Sequence, residues 1–205
     1  LEFRRVLFRS AIAIEIGDRN GEGTTYGSLG SMFDSLGEYQ KAKEYYEKAI
    51  AIAIKIGNRY EEGTIYGNLG NVFESLGEYQ KAKEYHEKAL AIAIEIGDRN
   101  GEGTAYGNLG NVFRFLGEYQ KAKEYYEKTI AIAKGMGVKG NECSGYLALG
   151  NVYCLLSKYR QAREEFDKAL SIGTAIGIRG VEAGALAGLA RSEERRVGKE
   201  CRSRW

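Results

Sequence analysis

Few residues of this sequence have the types and spacing that catalysis or metal binding requires. His86 is the only histidine, and a single histidine cannot form a typical metal site or acid–base pair. Cys143 and Cys154 have no histidine close to them in sequence, so a thiol nucleophile is not indicated. The glycines of segment 21–27 lack the G-x-G-x-x-G spacing of a nucleotide-binding loop, and no strand is predicted before them. We therefore expect no enzymatic activity, no cofactor and no metal ion.

The residues with clearer binding chemistry are asparagines. Asn71, Asn111 and Asn151 recur at intervals of 40 residues. An amide side chain offers both donors and an acceptor, so such a row can bond to the main chain of an extended peptide. Arg114 adds a guanidinium group that pairs with carboxylates. The predicted partner-binding residues are Asn68, Asn71, Asn108, Asn111, Arg114 and Asn151. The alternative is that these asparagines bond to neighbouring helices and to water.

The elements that must position these side chains come from an internal repeat of 40 residues. The nonapeptide GEYQKAKEY occurs at 37–45, 77–85 and 117–125, and SKYRQAREE is a diverged copy at 157–165. In each of the first three copies, a Gly-Asp-Arg or Gly-Asn-Arg triplet predicts a left-handed end of one helix and a side-chain cap for the next. The glycine that opens each of these three nonapeptides, Gly37, Gly77 or Gly117, breaks the chain again. The repeat therefore predicts two antiparallel helices, near 19–36 and 38–56 in the first copy.

This pattern resembles the tetratricopeptide repeat, in which an aromatic residue, a Leu-Gly pair and two further aromatic residues recur with an alanine. The matching residues are Tyr26, Leu29, Gly30, Phe33, Ala42 and Tyr46; Tyr66, Leu69, Gly70, Phe73, Ala82 and His86; Tyr106, Leu109, Gly110, Phe113, Ala122 and Tyr126; and Tyr146, Leu149, Gly150, Tyr153, Ala162 and Phe166. The fold class is thus expected to be all-α, an α-solenoid of antiparallel helix pairs. The resemblance implies a right-handed superhelix whose concave side, formed by the first helix of each repeat, binds partners. The longer repeat is similar to those of Pins-type polarity adaptors and of large scaffold proteins with many such repeats.

Three expectations concern the packing of these helices. His86 replaces the last aromatic residue of the pattern, which predicts a partly buried core histidine. Lysine and glutamate residues of the second helices are expected to form a solvated face with i,i+4 pairs. Glycines of the first helices are expected to face alanines of the second helices so that two backbones approach closely; these pairs are Gly30 with Ala42, Gly70 with Ala82, Gly110 with Ala122, and Gly150 with Ala162.

The two ends of the chain differ from the repeats. Back-translation of 1–10 and 191–205 gives strings that resemble short-read sequencing adapters, so both are expected to be adapter translations; natural basic tails are the alternative. Residues 11–190 then form the repeat array, with the end of one repeat, four repeats and the start of another. The ends carry net charges of +2 and +3, so the charge of +2 for the whole chain becomes −3 for 11–190. This charge does not indicate a nucleic-acid partner.

The sequence also indicates no membrane partner. The longest strongly apolar run, 49–54, is too short for a membrane span. Cys143 and Cys154 are expected on one helix, roughly 16 Å apart along its axis, and cannot pair with each other. The lack of a disulfide framework fits a reducing compartment, and we expect the protein to be cytoplasmic.

Three functions are compatible with these features. The leading hypothesis is a protein–protein interaction scaffold or adaptor that holds a peptide or helix of a partner protein in the concave groove. The alternative is a sensor or regulatory arm of a larger signalling protein or enzyme whose catalytic domain lies outside these residues. Self-association through exposed repeat ends is the third.

Overall fold

The structure, a computed structural model, describes residues 8, 12, 13 and 15–202, with the side chains of 196 and 198–202 left out. These residues form α-helices and short connections, and no strand occurs among them. The helices are α1 (Arg19–Ser35), α2 (Tyr39–Ile56), α3 (Arg59–Ser75), α4 (Tyr79–Ile96), α5 (Arg99–Phe115), α6 (Tyr119–Met136), α7 (Lys139–Leu155), α8 (Tyr159–Ile176) and α9 (Arg179–Arg202). Repeats 1 to 4 are the pairs α1–α2, α3–α4, α5–α6 and α7–α8. The predicted all-α solenoid of helix pairs is confirmed.

The connection from one repeat to the next follows the predicted chemistry. Gly57, for example, has a φ of +71°, the left-handed conformation that ends a helix without a Cβ penalty. Asn58 then caps α3, because its side-chain Oδ1 accepts the backbone N–H of Glu61 at 3.1 Å. Asp18 and Asp98 cap their helices in the same way. These short, defined turns join the second helix of one repeat to the first helix of the next.

The connection inside each repeat differs between copies. Gly37, Gly77 and Gly117 have φ angles of +74° to +77°, and Ser157 takes the same place in repeat 4 with a φ of +57°. A side chain in this left-handed region is strained, because its Cβ approaches the neighbouring carbonyl oxygen. Repeat 4 therefore keeps the turn of the other repeats without the glycine that favours it.

The helices form two compact units, Leu1–Asn108 and Leu109–Trp205. In the N-terminal unit, α1 packs against α2, α2 against α3, and α3 against α4. Its core cluster consists of Phe33, Ala42, Tyr46, Ala49, Ile65, Leu69 and Val72. In the C-terminal unit, α7 packs against α6 and α8, and α8 against α9. Its buried residues include Leu149, Val152, Ala162, Phe166 and Ala169. Each unit is thus held by apolar faces of neighbouring helices.

The predicted contact between glycines and alanines is wrong. A methyl group on Gly30 would lie 2.6 Å from ring atoms of Tyr46, and one on Gly110 would lie 2.6 Å from the ring of Tyr126. Gly70 meets the ring of His86, and Gly150 meets the ring of Phe166, in the same way. The glycine therefore makes room for the last aromatic ring of the pattern. The alanines, including Ala42, are fully buried but are not what the glycines accommodate.

The ends of the chain give no structural boundary at residue 190. Helix α9 continues from Arg179 to Arg202 without interruption, and the side chain of Ser192 is buried. The predicted division at 190/191 rests on the sequence alone and stays a prediction. Most of segment 1–10 lies outside the described residues.

Candidate partner-binding cavities

The N-terminal unit contains a cavity of about 210 Å³ between α3, α4 and the first part of α5. Three of the six predicted binding residues, Asn68, Asn71 and Asn108, line it. The amide Nδ2 of Asn108 donates a long hydrogen bond of 3.4 Å to Oδ1 of Asn71. Much of the remaining wall is made of small residues, such as Gly67 and Ala93, which leave the space open. The repeat thus brings these three asparagines to one side of the unit.

His86 also lines this cavity and has an unusual environment. Its side chain is fully buried, and neither Nδ1 nor Nε2 has a hydrogen-bond partner within the described part of the chain. Burial alone lowers the pKa of His86 to about 4, because the charged imidazolium would lose its hydration. The ring is therefore neutral at pH 7, with one nitrogen as donor and the other as acceptor. The sequence predicted a core histidine but only a partly buried one.

The equivalent residue is a tyrosine in repeats 1 and 3 and Phe166 in repeat 4. The hydroxyl of Tyr46 shares a hydrogen bond of 3.0 Å with Ser31 Oγ. The hydroxyl of Tyr126 donates to Oδ1 of Asn111 at 2.7 Å. An imidazole is shorter than a phenol and carries no hydroxyl. His86 therefore cannot bond to Asn71 in the way that Tyr126 bonds to Asn111. The unpaired nitrogens follow from that single substitution in the repeat.

The C-terminal unit contains a larger cavity of about 450 Å³, and the other three predicted residues line it: Asn111, Arg114 and Asn151. Oδ1 of Asn111 accepts from Tyr126, and the same amide carries two N–H donors. The guanidinium of Arg114 lies 4.2 Å from the ring centroid of Phe115. Arg191 and Arg195 complete the lining. Because these two arginines belong to the segment predicted to be an adapter translation, the basic character of this cavity depends on that segment.

The sequence analysis did not predict a recurring ion pair at the start of the first helices. A basic residue and a glutamate three positions on open the first helix of each repeat, as in Arg59 with Glu62 at 2.5 Å and Lys139 with Glu142 at 2.8 Å. Both glutamates are buried. The basic-x-x-Glu spacing at 19, 59, 99 and 139 would have indicated these pairs. They fix the start of the helices that carry the asparagines.

Lysines of the second helices lie on tyrosine rings. Lys48 Nζ is 5.0 Å from the ring centroid of Tyr45, and Lys88 Nζ is 4.8 Å from that of Tyr85. Such cation–π contacts cover the aromatic rings while the ammonium groups stay hydrated. The predicted i,i+4 pairs also occur, as between Lys83 and Glu87 at 3.7 Å. This face is therefore used for packing and solvation.

The described residues contain no group of three or more His, Cys, Asp and Glu side chains that could hold a metal ion. No helix in the described part of the chain has the length and apolarity that crossing a membrane requires. Cys143 and Cys154 are both buried and free on α7. Burial raises the pKa of both thiols, which makes them less reactive.

Comparisons with known proteins agree with this architecture. Two family models, each described as tetratricopeptide repeat, match residues 23–53 and 61–135. No curated protein matches the sequence significantly. Among solved structures, BtubC (BKLC) from P. vanneervenii is 20% identical with a TM-score of 0.73, covering 96% of this chain and 89% of its own. Aspartyl phosphate phosphatase F from Bacillus subtilis is 16% identical with a TM-score of 0.83, and the match covers 92% of this chain and 51% of that protein.

A third similar structure has a closer sequence. It is a signal transduction ATPase with numerous domains from Pyrococcus horikoshii, which carries a tetratricopeptide repeat sensor. The identity is 26% and the TM-score 0.78, over 85% of this chain and 27% of that protein. This chain therefore spans about a quarter of that relative. The helix pairs, the recurring aromatic and glycine residues and both matching models lead to one conclusion: the chain belongs to the tetratricopeptide-repeat family.

Proposed function

We propose that this protein is a scaffold that holds an extended segment of a partner protein on the first helices of its repeats. The chain is a repeat domain of the protein-interaction or regulatory type. The proposal adds the kind of partner, an extended segment of another protein, and the helices on which it binds. One observation carries the proposal. The six polar side chains selected from the sequence all line cavities, three in each compact unit.

The chemistry of these cavities suits a peptide main chain. Each asparagine amide offers two N–H donors to peptide carbonyls and an oxygen to peptide N–H groups. Asn71 is exposed, and Asn68, Asn108, Asn111 and Asn151 are half-buried, so their amides are accessible to a bound segment. Small residues around them let a second backbone approach closely. Arg114 supplies a positive charge for a carboxylate of the partner. The two buried, unpaired cysteines fit the reducing interior of a cell, and we propose a cytoplasmic location.

The test is a peptide-display selection against the 205-residue chain, repeated with the variant Asn71→Ala/Asn111→Ala/Asn151→Ala. We expect enriched peptides to bind the variant about tenfold or more weakly, since each lost hydrogen bond contributes about 0.5–1.5 kcal/mol. A matched control, Asn20→Ala/Asn141→Ala, removes asparagines of α1 and α7 outside the cavity linings and should bind normally. Circular dichroism checks the folding of all three. Unchanged binding by the triple variant would exclude the asparagine row, and no enrichment would exclude the peptide scaffold.

A second candidate function is a sensor arm within a larger signalling protein. The similarity to the Pyrococcus horikoshii sensor favours it, because this chain corresponds to only 27% of that protein. Sequencing the messenger RNA beyond both ends of the segment that encodes these residues tests this candidate directly. A catalytic domain encoded next to the repeats would support it, whereas a chain that consists of repeats alone would contradict it.

A further inference from the structure

The cavity of the N-terminal unit lies where α5 departs from the sequence of α3. The two helices correspond residue by residue at a spacing of 40. Glu61 and Ile65 of α3 correspond to Gly101 and Ala105 of α5, and both of these small residues line the cavity. Helix α5 therefore lacks two long side chains that α3 carries at the same places.

In α3 these two side chains fill the space next to repeat 1. Oε1 of Glu61 approaches α1 so closely that a methyl group on Gly27 would lie 3.4 Å from it. Ile65 is 1% exposed and packs in the core cluster that contains Ala49 of α2. Gly67 is the equivalent of Gly27 in repeat 2, and a methyl group there would have no other described atom within 4 Å. The space that is filled next to repeat 1 is thus open next to repeat 2.

The floor of this open space is apolar. Ala89, Ile92 and Ala93 of α4 form it, and all three are buried. His86 also lines the cavity, but its two nitrogens are inaccessible and lie against Gly70. The ring therefore offers no hydrogen-bonding atom to an occupant. A polar group on this floor would lose its hydration without a partner, so the floor favours an apolar group.

The charges of the lining favour a neutral occupant. None of the described residues that line the cavity is a lysine or an arginine, so a carboxylate or phosphate would lack a counter-charge. The one carboxylate of the lining, Asp98, caps α5 by accepting the N–H groups of Asn100 and Gly101 at 3.1 and 3.0 Å. The half-buried amides of Asn68 and Asn108 are neutral and can bond to the main chain of a bound segment.

The size of the cavity suits one branched aliphatic side chain. Its volume is about 210 Å³, whereas a cavity of about 150 Å³ is sufficient for benzene. The side chain of isoleucine has fewer carbon atoms than benzene. Isoleucine is also the residue with which the chain itself fills the equivalent space, at Ile65.

We propose that this cavity receives a branched aliphatic side chain, of the size of isoleucine or leucine, from an extended segment of the partner protein. Gly101 and Ala105 are then the residues that determine this specificity, because they leave the space open. The proposal rests on the scaffold function above and names the kind of side chain by which the partner is recognised. That side chain would supply next to α4 what Ile65 supplies next to α2.

The first experiment uses N-acetyl-isoleucine methylamide as the probe and the 205-residue chain as the protein. His86 lines the cavity and is the only histidine, so the carbon-bound protons of its ring give assignable NMR signals at the site. We expect the probe to shift these signals saturably. The alanine derivative should bind about tenfold or more weakly, because it buries three fewer carbon atoms. No shift with the isoleucine probe, or equal or tighter binding of the alanine, lysine or phenylalanine derivative, would overturn the proposal.

Two substitutions at one position locate the probe. Ala105→Ile gives α5 the residue that α3 has at Ile65, and it should fold normally and weaken the isoleucine probe about tenfold or more. Ala105→Val fills less of the space and should weaken the probe by an intermediate factor. Ala91→Ile makes the same change at an exposed position of α4 outside the lining and should leave binding unchanged. Circular dichroism checks the folding of all three. Undiminished binding by the folded Ala105 variants would contradict the inference.

The peptide selection separates this inference from the scaffold function. We expect isoleucine or leucine to be enriched at one position of the selected peptides, and Ala105→Ile to weaken those peptides about tenfold or more. Enriched peptides without such a position, unaffected by Ala105→Ile, would overturn the aliphatic pocket and leave the scaffold function standing. Binding of the isoleucine probe without any enriched peptide would overturn the proposed protein ligand and the scaffold function together.

Discussion

Repeats 2 and 3 fill one slot of the same pattern differently. In repeat 3 the slot holds Tyr126 of the C-terminal unit, whose hydroxyl bonds to Asn111 at 2.7 Å. In repeat 2 it holds His86 of the N-terminal unit, whose nitrogens have no partner in the described chain. Both rings pack against a glycine of the preceding helix. The comparison shows that the glycine and the ring set the helix packing. The group at the tip of the ring decides whether the neighbouring asparagine accepts a hydrogen bond from that ring.

The largest expected effect tests the packing half of this comparison. Tyr126→Ala should lower the free energy of unfolding by about 3–5 kcal/mol, because it leaves a cavity next to Gly110 in a close-packed interface. Tyr126→Phe keeps the ring, as Phe166 does in repeat 4, and should cost only about 1 kcal/mol for the lost hydrogen bond to Asn111. Urea denaturation followed by circular dichroism measures both. Equal losses in the two variants would show that the hydroxyl, and not the ring, holds the helices together.

The next effect tests the other unit by its pH dependence. The folded pKa of His86 is about 4, below its value of about 6.5 in an unfolded chain, so the unfolded state binds the proton first as pH falls. Its contribution is complete above pH 6.5 and is lost progressively towards pH 4, where the loss reaches about 3 kcal/mol. His86→Phe should lack this part of the decline, since it cannot be protonated.

The measurement is urea denaturation of both proteins between pH 7.5 and pH 4. Carboxylates titrate in both proteins, so the difference between the two curves isolates the histidine. Parallel curves for the natural chain and His86→Phe would mean that the imidazole is solvated in the folded protein, and the comparison between the two slots would fail.

A third effect concerns the caps of the first helices. Asn58 in the N-terminal unit caps α3 with its side chain, whereas Val138, at the same place in the C-terminal unit, has no side-chain cap for α7. Val138→Asn should raise the free energy of unfolding by about 1 kcal/mol, because its Oδ1 can accept a free N–H at the start of the helix. Asn58→Val is the matched reverse change and should lower stability by a similar amount. A loss of stability in Val138→Asn would mean that valine contacts outweigh the cap.

The sequence predicted most of the architecture because its determinants are local. The positive φ of Gly57 and the cap formed by Asn58 require only the residues of one turn, and they placed the helices within one or two residues of the structure. The partners of Gly70 were mispredicted, because the direction of a side chain towards a neighbouring helix depends on how the two helices cross. The unpaired state of His86 was missed for a related reason. It depends on the reach of a ring to Asn71, which spacing in the sequence does not give.

The smallest expected effect returns to the turn within each repeat. Gly77 in the N-terminal unit and Ser157 in the C-terminal unit both have positive φ, at +74° and +57°. Ser157→Gly should stabilise the C-terminal unit by about 0.5–1 kcal/mol, because relief of the Cβ strain exceeds the extra entropy of glycine in the unfolded chain. Gly117→Ser introduces the same residue at the equivalent turn of repeat 3 and should destabilise by a similar amount. Urea denaturation of the two variants measures these opposite signs. If Ser157→Gly instead lowered stability, the serine hydroxyl, which accepts from Tyr159 at 3.4 Å, would be holding the turn more strongly than the strain opposes it.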